Sequence, residues 1–143
     1  MTESLINFYP KNSKVLVRVD FNVPINNNLV VDESRILLCL PTIKLLLENN
    51  NAIVLMSHLG RPKGFDKNLS MEIVLNHLKK MIFFKNKKIH FCSSFDEKDL
   101  KSKKSNLTLG EILVLENLRF DSGEKNQNIK FSKKNNKWPR FLY

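Results

Sequence analysis

Arginine carries more information than lysine in this chain, because lysine is used almost everywhere else. Among 143 residues there are five arginines: Arg18, Arg35, Arg61, Arg119 and Arg140. A guanidinium holds a carboxylate or phosphate through two parallel hydrogen bonds, a geometry that the lysine ammonium cannot copy. Arg61 lies in Ser57-His-Leu-Gly-Arg-Pro-Lys-Gly64, Arg119 in Glu116-Asn-Leu-Arg-Phe120, and Arg35 just after Asp32-Glu-Ser34. With His58, Asp20 and Asn22 they make a set suited to a small, multiply anionic ligand that carries hydroxyl groups. The cations would take phosphate and carboxylate, and Asp20 and Asn22 a hydroxyl. Each residue also has a plainer reading. Asp20, Asn22 and Pro24 fit a strand-end turn, Arg35 a solvated first helical turn, and Gly60 and Gly64 a loop. His58 fits a hydrogen-bonded core histidine, Phe21 and Phe120 packing positions, and Lys63 the surface.

The elements that must position this set follow from periodicity. Lys14–Asp20 is a β-branched run and reads as a strand. Asp32 reads as the N-cap of a helix with Ile36, Leu37, Leu40, Ile43, Leu46 and Leu47 on its apolar face. Pro41 inside it predicts a kink or two abutting pieces. Ala52–Ser57 is a second strand. Ser70 caps a second helix with Ile73, Val74, Leu78 and Ile82 at helical spacing. Ile89–Cys92 is a third strand, a lysine-rich helical segment follows to about Lys104, and Glu111–Glu116 is a fourth strand. Apolar strands alternating with amphipathic helices predict an α/β, Rossmann-like parallel sheet with helices on both faces. In such sheets ligands bind beyond the carboxyl ends of the strands. Asp20–Pro24, Ser57–Gly64 and Glu116–Phe120 all follow strand ends, so the arginines, His58, Asp20 and Asn22 are expected at one edge.

Composition narrows the class. Hydrophobic residues make up 42% and charged residues 27%, an ordinary balance for a globular domain. No apolar run approaches the roughly 20 residues of a membrane span, and the N-terminus does not read as a signal peptide. Cys39 and Cys92 are expected as reduced thiols. The net charge of +10 admits a polyanionic partner. Its spread over lysines, beside the runs Asn26–Asn28 and Asn49–Asn51, instead fits a solvated surface. The four glycines, Gly60, Gly64, Gly110 and Gly123, form neither a Walker loop nor a dinucleotide fingerprint. His58, His77 and His90 show no metal-ligand spacing with the cysteines.

Taken together, five segments resemble the phosphoglycerate kinase family: Val15–Pro24, Asp32–Ile36, Leu40–Ile43, Ser57–Gly64 and Leu115–Phe120. They come in that family's order and at its approximate spacing, over about Lys14 to Lys134. The resemblance implies an incomplete N-terminal domain of the phosphoglycerate kinase fold. It implies a glycolytic kinase that moves a phosphoryl group reversibly between 1,3-bisphosphoglycerate and ADP, giving 3-phosphoglycerate and ATP. Carried onto this sequence, the substrate-binding set is Asp20, Phe21, Asn22, Arg35, His58, Leu59, Gly60, Arg61 and Arg119. Asp20 and Asn22 would hold the glycerate hydroxyl and carboxyl end, His58, Arg61 and Arg119 would grip its phosphate, and Arg35 would contact the transferring phosphoryl group as the catalytic residue. The Mg-ATP or Mg-ADP cosubstrate belongs to the complete enzyme, and no nucleotide or metal residue is expected here. The expectation is a cytoplasmic, monomeric complete enzyme whose ligands are the phosphoglycerates, with neither nucleic acid nor membrane as partner.

The pattern ends before the chain does. Residues 1–134 read as the glycerate-binding domain, truncated, and residues 135–143 as an unmatched tail with the form of a frameshifted or early-stopped end, the nucleotide-binding half being absent. On that expectation the isolated chain is inactive. The alternatives are a catalytically inactive remnant or one half of a split enzyme acting as an anion-binding fragment. Loss of an element of the complete sheet would also leave an open edge.

Overall fold

The computed structural model describes residues 9–121 together with 141–142. Strand β1 spans Lys14–Arg18, a small hairpin follows as β2 (Ile25–Asn26) and β3 (Leu29–Val30), and helix α1 covers Ser34–Glu48. Then come β4 (Ala52–Met56), α2 (Met71–Lys80), β5 (Ile89–Cys92), α3 (Glu97–Asn106), β6 (Ile112–Leu115) and the two-residue β7 (Phe141–Leu142). The main sheet has the order β5-β6-β4-β1-β7, and every pairing in it is parallel. The expected α/β architecture is present; β5 has the expected limits, and β1, β4 and β6 fall one or two residues inside theirs.

Alternation along the strands sorts the core into two layers. Val15, Val17, Ile53, Leu55, Ile112 and Val114 pack with Ile36, Ile43 and Leu46 of α1 and with Met71, Val74, Leu75 and Leu78 of α2. Leu16, Val54, Met56, Leu113 and Leu115 pack on the opposite face with Leu107, Leu118, Phe95 and Leu100. Helices therefore cover both faces, which is why β4 and β6 read as unbroken apolar runs. All nine of their residues are buried. Apart from Ala52, each such side chain contributes about 1.5–3 kcal/mol on leaving water.

The third helix is held differently. None of its residues is fully buried. Glu97 and Asp99 sit in its first turn and Lys103 and Lys104 in its last, charges that complement the helix dipole. The ammonium of Lys14 donates to the Lys104 carbonyl at 2.7 Å, satisfying one of the terminal acceptors.

Four expectations need correcting. Helix α1 runs through Pro41 as one continuous helix and not as two abutting pieces. The missing proline N–H removes only the bond to the Leu37 carbonyl, on a side of the helix where Leu37 is 47% exposed. Leu37 thus does not belong to the buried face. The cap residue of α1 is Glu33, which makes no side-chain cap bond, while Asp32 Oδ1 accepts from the Ser34 N–H at 2.9 Å one position earlier. Ile82 is 93% exposed, because α2 ends at Lys80 and Ile82–Phe84 form a separate 3-10 turn that buries Phe84 instead.

The β2–β3 hairpin was not anticipated. Asn27 and Asn28 both adopt positive φ, 51° and 61°, the left-handed pair a two-residue hairpin turn requires and asparagine tolerates. The asparagine run that reads as compositional bias is here a turn. The outer edge of β1 is paired over two residues, Leu16 with Phe141 and Val17 with Leu142. The remainder of the 135–143 tail, with Arg140, lies outside the described residues. Both cysteines are free thiols.

Candidate functional site at the carboxyl edge of the sheet

Strands β1, β4 and β6 are neighbours in the sheet, so the three segments that follow them leave from adjacent positions. The backbone continues the register past the strands: the Val19 N–H donates to Met56 O at 3.0 Å and the Leu118 N–H to Ser57 O at 3.1 Å. Ser57 Oγ then accepts from the Phe21 N–H at 3.0 Å. The first segment is thereby tied to the second by a buried hydroxyl.

A continuous line of hydrogen bonds crosses all three strand ends. Arg35 Nη1 donates to both carboxylate oxygens of Asp20 at 3.2 Å. Asp20 Oδ1 accepts from the Asn22 N–H at 3.2 Å. Asn22 Oδ1 accepts from the Gly60 N–H at 2.9 Å. Finally, the Gly60 carbonyl accepts from Arg119 Nη1 at 2.8 Å. Residues separated by up to 99 positions in sequence thus belong to one connected edge. Gly60 is its pivot, and its φ of 63° is left-handed, a conformation that costs a residue with a Cβ about 1–2 kcal/mol. A Cβ there would also lie 2.8 Å from Leu69 Cδ2.

Beneath this line sits a buried polar layer that the sequence reading did not single out. Asn117 is fully buried. Its Oδ1 accepts from the Leu59 and Arg119 N–H groups at 3.1 and 3.0 Å, and its Nδ2 donates to Leu59 O and Leu69 O at 2.7 and 2.9 Å. Glu116, 4% exposed, accepts from Ser70 Oγ, the Met71 N–H and the Asn117 N–H at 2.7, 2.7 and 2.8 Å. A carboxylate at the start of α2 is stabilised by the positive end of that helix. Ser70 caps the helix as expected, accepting from the Glu72 N–H at 3.2 Å. The sequence signal for Asn117 was its place two residues before Arg119, the spacing at which an asparagine side chain bonds its own backbone.

The nine sequence-selected residues therefore divide. Asp20, Asn22, Arg35, Gly60 and Arg119 are connected as described. His58, half-buried, and Arg61, exposed, stand on the same loop as Gly60. Phe21 and Leu59 are buried at 0% and 1% exposure, so they contribute packing and place the backbone of the site. Cys39, one turn after Arg35, is half-buried. Burial pushes its thiol up, a hydrogen bond with the Asp20 backbone opposes that, and the Asp20 charge adds to it. Among the described residues no three His, Cys, Asp or Glu side chains are grouped to hold a metal ion. No described helix is long and apolar enough to cross a membrane.

Comparison with known proteins agrees with this architecture. The family model described as phosphoglycerate kinase matches residues 5–139. The phosphoglycerate kinase of Dictyoglomus turgidum is 40% identical over 124 residues, covering 87% of this chain and 31% of that protein. That of a Hydrogenobaculum species is 42% identical over 125 residues, covering 87% and 31%. Among solved structures, phosphoglycerate kinase from Coxiella burnetii superposes with a TM-score of 0.75 at 27% identity, over 95% of this chain and 33% of that one. The Pyrococcus horikoshii enzyme gives 0.78 at 26% identity, over 96% and 35%. The chain spans about a third of the length of these relatives. By sequence and by fold, it belongs to the phosphoglycerate kinase family.

Proposed function

We propose that this chain supplies the phosphoglycerate-binding half of a phosphoglycerate kinase of glycolysis, which moves a phosphoryl group reversibly between 1,3-bisphosphoglycerate and ADP in the cytoplasm. The reading rests on one observation above the others: the unbroken line Arg35–Asp20–Asn22–Gly60–Arg119 across three neighbouring strand ends. It ranges two guanidinium groups, a carboxylate and an amide along one edge. Asp20 and Asn22 are assigned to the hydroxyl and carboxyl end of the glycerate, and Arg61, Arg119 and His58 to its phosphate.

The chemistry asks little of these side chains beyond charge and position. The acceptor of the phosphoryl group is the carboxylate of 3-phosphoglycerate, ionised at neutral pH, so no protein base is needed. Alignment and neutralisation of the phosphoryl oxygens then supply the catalysis. Arg35 is assigned to those oxygens. Its pair with Asp20 is exposed, at 53% and 60%, and an exposed pair is worth only about 0–1 kcal/mol. The guanidinium can therefore exchange Asp20 for a phosphoryl group at small cost.

No nucleotide site is assigned to this chain, whose glycines form neither a Walker loop nor a dinucleotide fingerprint. The Mg-nucleotide is assigned to the part of the relatives that this chain does not span, and the chain alone is expected to give no turnover. A test is calorimetric titration of the purified chain with 3-phosphoglycerate beside its Arg61→Ala and Arg119→Ala variants. Binding by the parent chain and its loss in the variants supports the reading. Equal affinity in all three removes the site.

A further inference from the structure

We propose that Asn117 is the positioning residue of the anion site, setting Arg119 and the Leu59–Arg61 loop at a fixed separation through one buried side-chain amide. This rests on the reading of the carboxyl edge as the phosphoglycerate site and deepens it.

A side-chain amide has two donor hydrogens and an oxygen that accepts twice. In Asn117 all four are used, at 2.7–3.1 Å. Three of the four partners lie 48 to 58 positions away, in the segment between β4 and α2. The fourth is the Arg119 N–H. Both backbone groups of Leu59 are engaged, so the peptide planes leading to Gly60 and Arg61 are held from below. Arg119 then reaches back to the Gly60 carbonyl. That bond and the bonds of Asn117 close a ring running from Asn117 through Leu59, Gly60 and Arg119. Asn117 and Leu59 are its buried members, and Gly60 and Arg119 its half-buried ones.

Glu116 anchors the ring to the fold. Its carboxylate takes the Asn117 N–H on one oxygen, together with the start of α2. The amide plane is thereby referenced to a helix and a strand, while the loop it holds has no regular structure between Ser57 and Asp66. A loop without ladder bonds of its own needs such a reference if its cation is to stay aligned with another. Displacement of about 1 Å can cost on the order of a hundredfold in a process that depends on alignment.

A positioning role must be separated from a merely structural one, and the chain contains its own control. Asn51 is equally buried and also bonds backbone groups, but at the amino edge of the sheet. Asn117→Ala and Asn51→Ala are compared in the full chain, at a temperature where melting curves show each to be folded. Affinity for 3-phosphoglycerate is expected to fall at least about tenfold in Asn117→Ala and to change less than about threefold in Asn51→Ala, a distant site. The amide resonances of Leu59, Gly60, Arg61 and Arg119 are expected to shift, without ligand, only in the Asn117 variant. Equal loss of affinity in the two variants, or unmoved loop resonances in Asn117→Ala, overturns the proposal. Should Asn117→Ala not fold, hydrogen exchange in the parent chain decides it. The Leu59 and Arg119 amides, which share one acceptor, must open together, and independent opening overturns it. If the parent chain does not bind 3-phosphoglycerate, the functional reading fails, and the resonance and exchange measurements still decide whether Asn117 couples the loop to Arg119.

Discussion

The two edges of the sheet are built from the same materials to different ends. At the amino edge, Asn51 accepts from the Ser13 N–H at 3.0 Å and donates to Pro10 O and Leu46 O at 2.7 and 2.8 Å. Asn12 and Asn50 take left-handed turns there and bond each other at 2.7 Å. These contacts close the entry to β1 and the exit of α1. At the carboxyl edge, a buried asparagine instead ties a loop to an arginine, and Gly60 is held between Asn22 and Arg119. The difference teaches that equal burial and similar bonds can serve different placements. The bonds of Asn51 join the approach to β1 with the end of α1, whereas three of the four bonds of Asn117 fall on the segment between β4 and α2 that carries His58 and Arg61.

That contrast can be broken by mutation, beginning with the largest effect. Glu116→Ala leaves the Ser70 hydroxyl and the Met71 and Asn117 N–H groups without their acceptor, and is expected to cost about 3 kcal/mol in urea unfolding. A loss under about 1 kcal/mol would show that the buried layer is not what supports the carboxyl edge. Arg119→Ala is expected to lower stability little and to weaken 3-phosphoglycerate binding by about 1.5–3 kcal/mol, the value of hydrogen bonds to a charged group, as read by calorimetry. Gly60→Ala forces a Cβ into a left-handed position and should cost about 1–2 kcal/mol in the same unfolding assay. No effect there would mean that the pivot is relaxed.

Two smaller effects sharpen the comparison. Arg35→Ala should change stability by less than about 1 kcal/mol, since its pair with Asp20 is exposed; a larger loss would make Arg35 a structural residue. At the amino edge, Glu111 accepts from the Thr108 N–H at 3.0 Å, and that backbone bond leads the causes that lower its carboxyl pKa, with His90 contributing less. A depressed carboxyl stabilises the fold above its unfolded value of about 4.3. That stability is lost as pH falls through the lower folded value. Glu111→Gln should therefore flatten the acid limb of the stability curve below about pH 4.3, measured by urea midpoints from pH 5 to pH 3. An unchanged limb would show that Glu111 makes no such contribution.

Much of this molecule was legible because its signals are local. Runs such as Val15–Val17 and Ile53–Met56 are apolar at every position, and Ser70 precedes a helix whose apolar residues recur at three and four. Chemical type together with a place at or near a strand end marked Arg35, Arg61 and Arg119 as candidate anion ligands. Local signals misled where the end of an element decided exposure, as at Leu37 and Ile82, and where Asn27–Asn28 looked like composition and proved to be a turn.

Residue types and short-range periodicity thus determined the four longer strands, the three helices and the edge at which the loops bearing Arg61 and Arg119 leave the sheet. The tertiary structure alone decided that β6, β4 and β1 lie side by side, that Arg35 rests on Asp20, and that Asn117 binds Leu59. The physical reason is range. A helix or strand is specified by neighbours a few positions apart, whereas an amide that bonds a residue 58 positions away is specified by the packing that brings the two together.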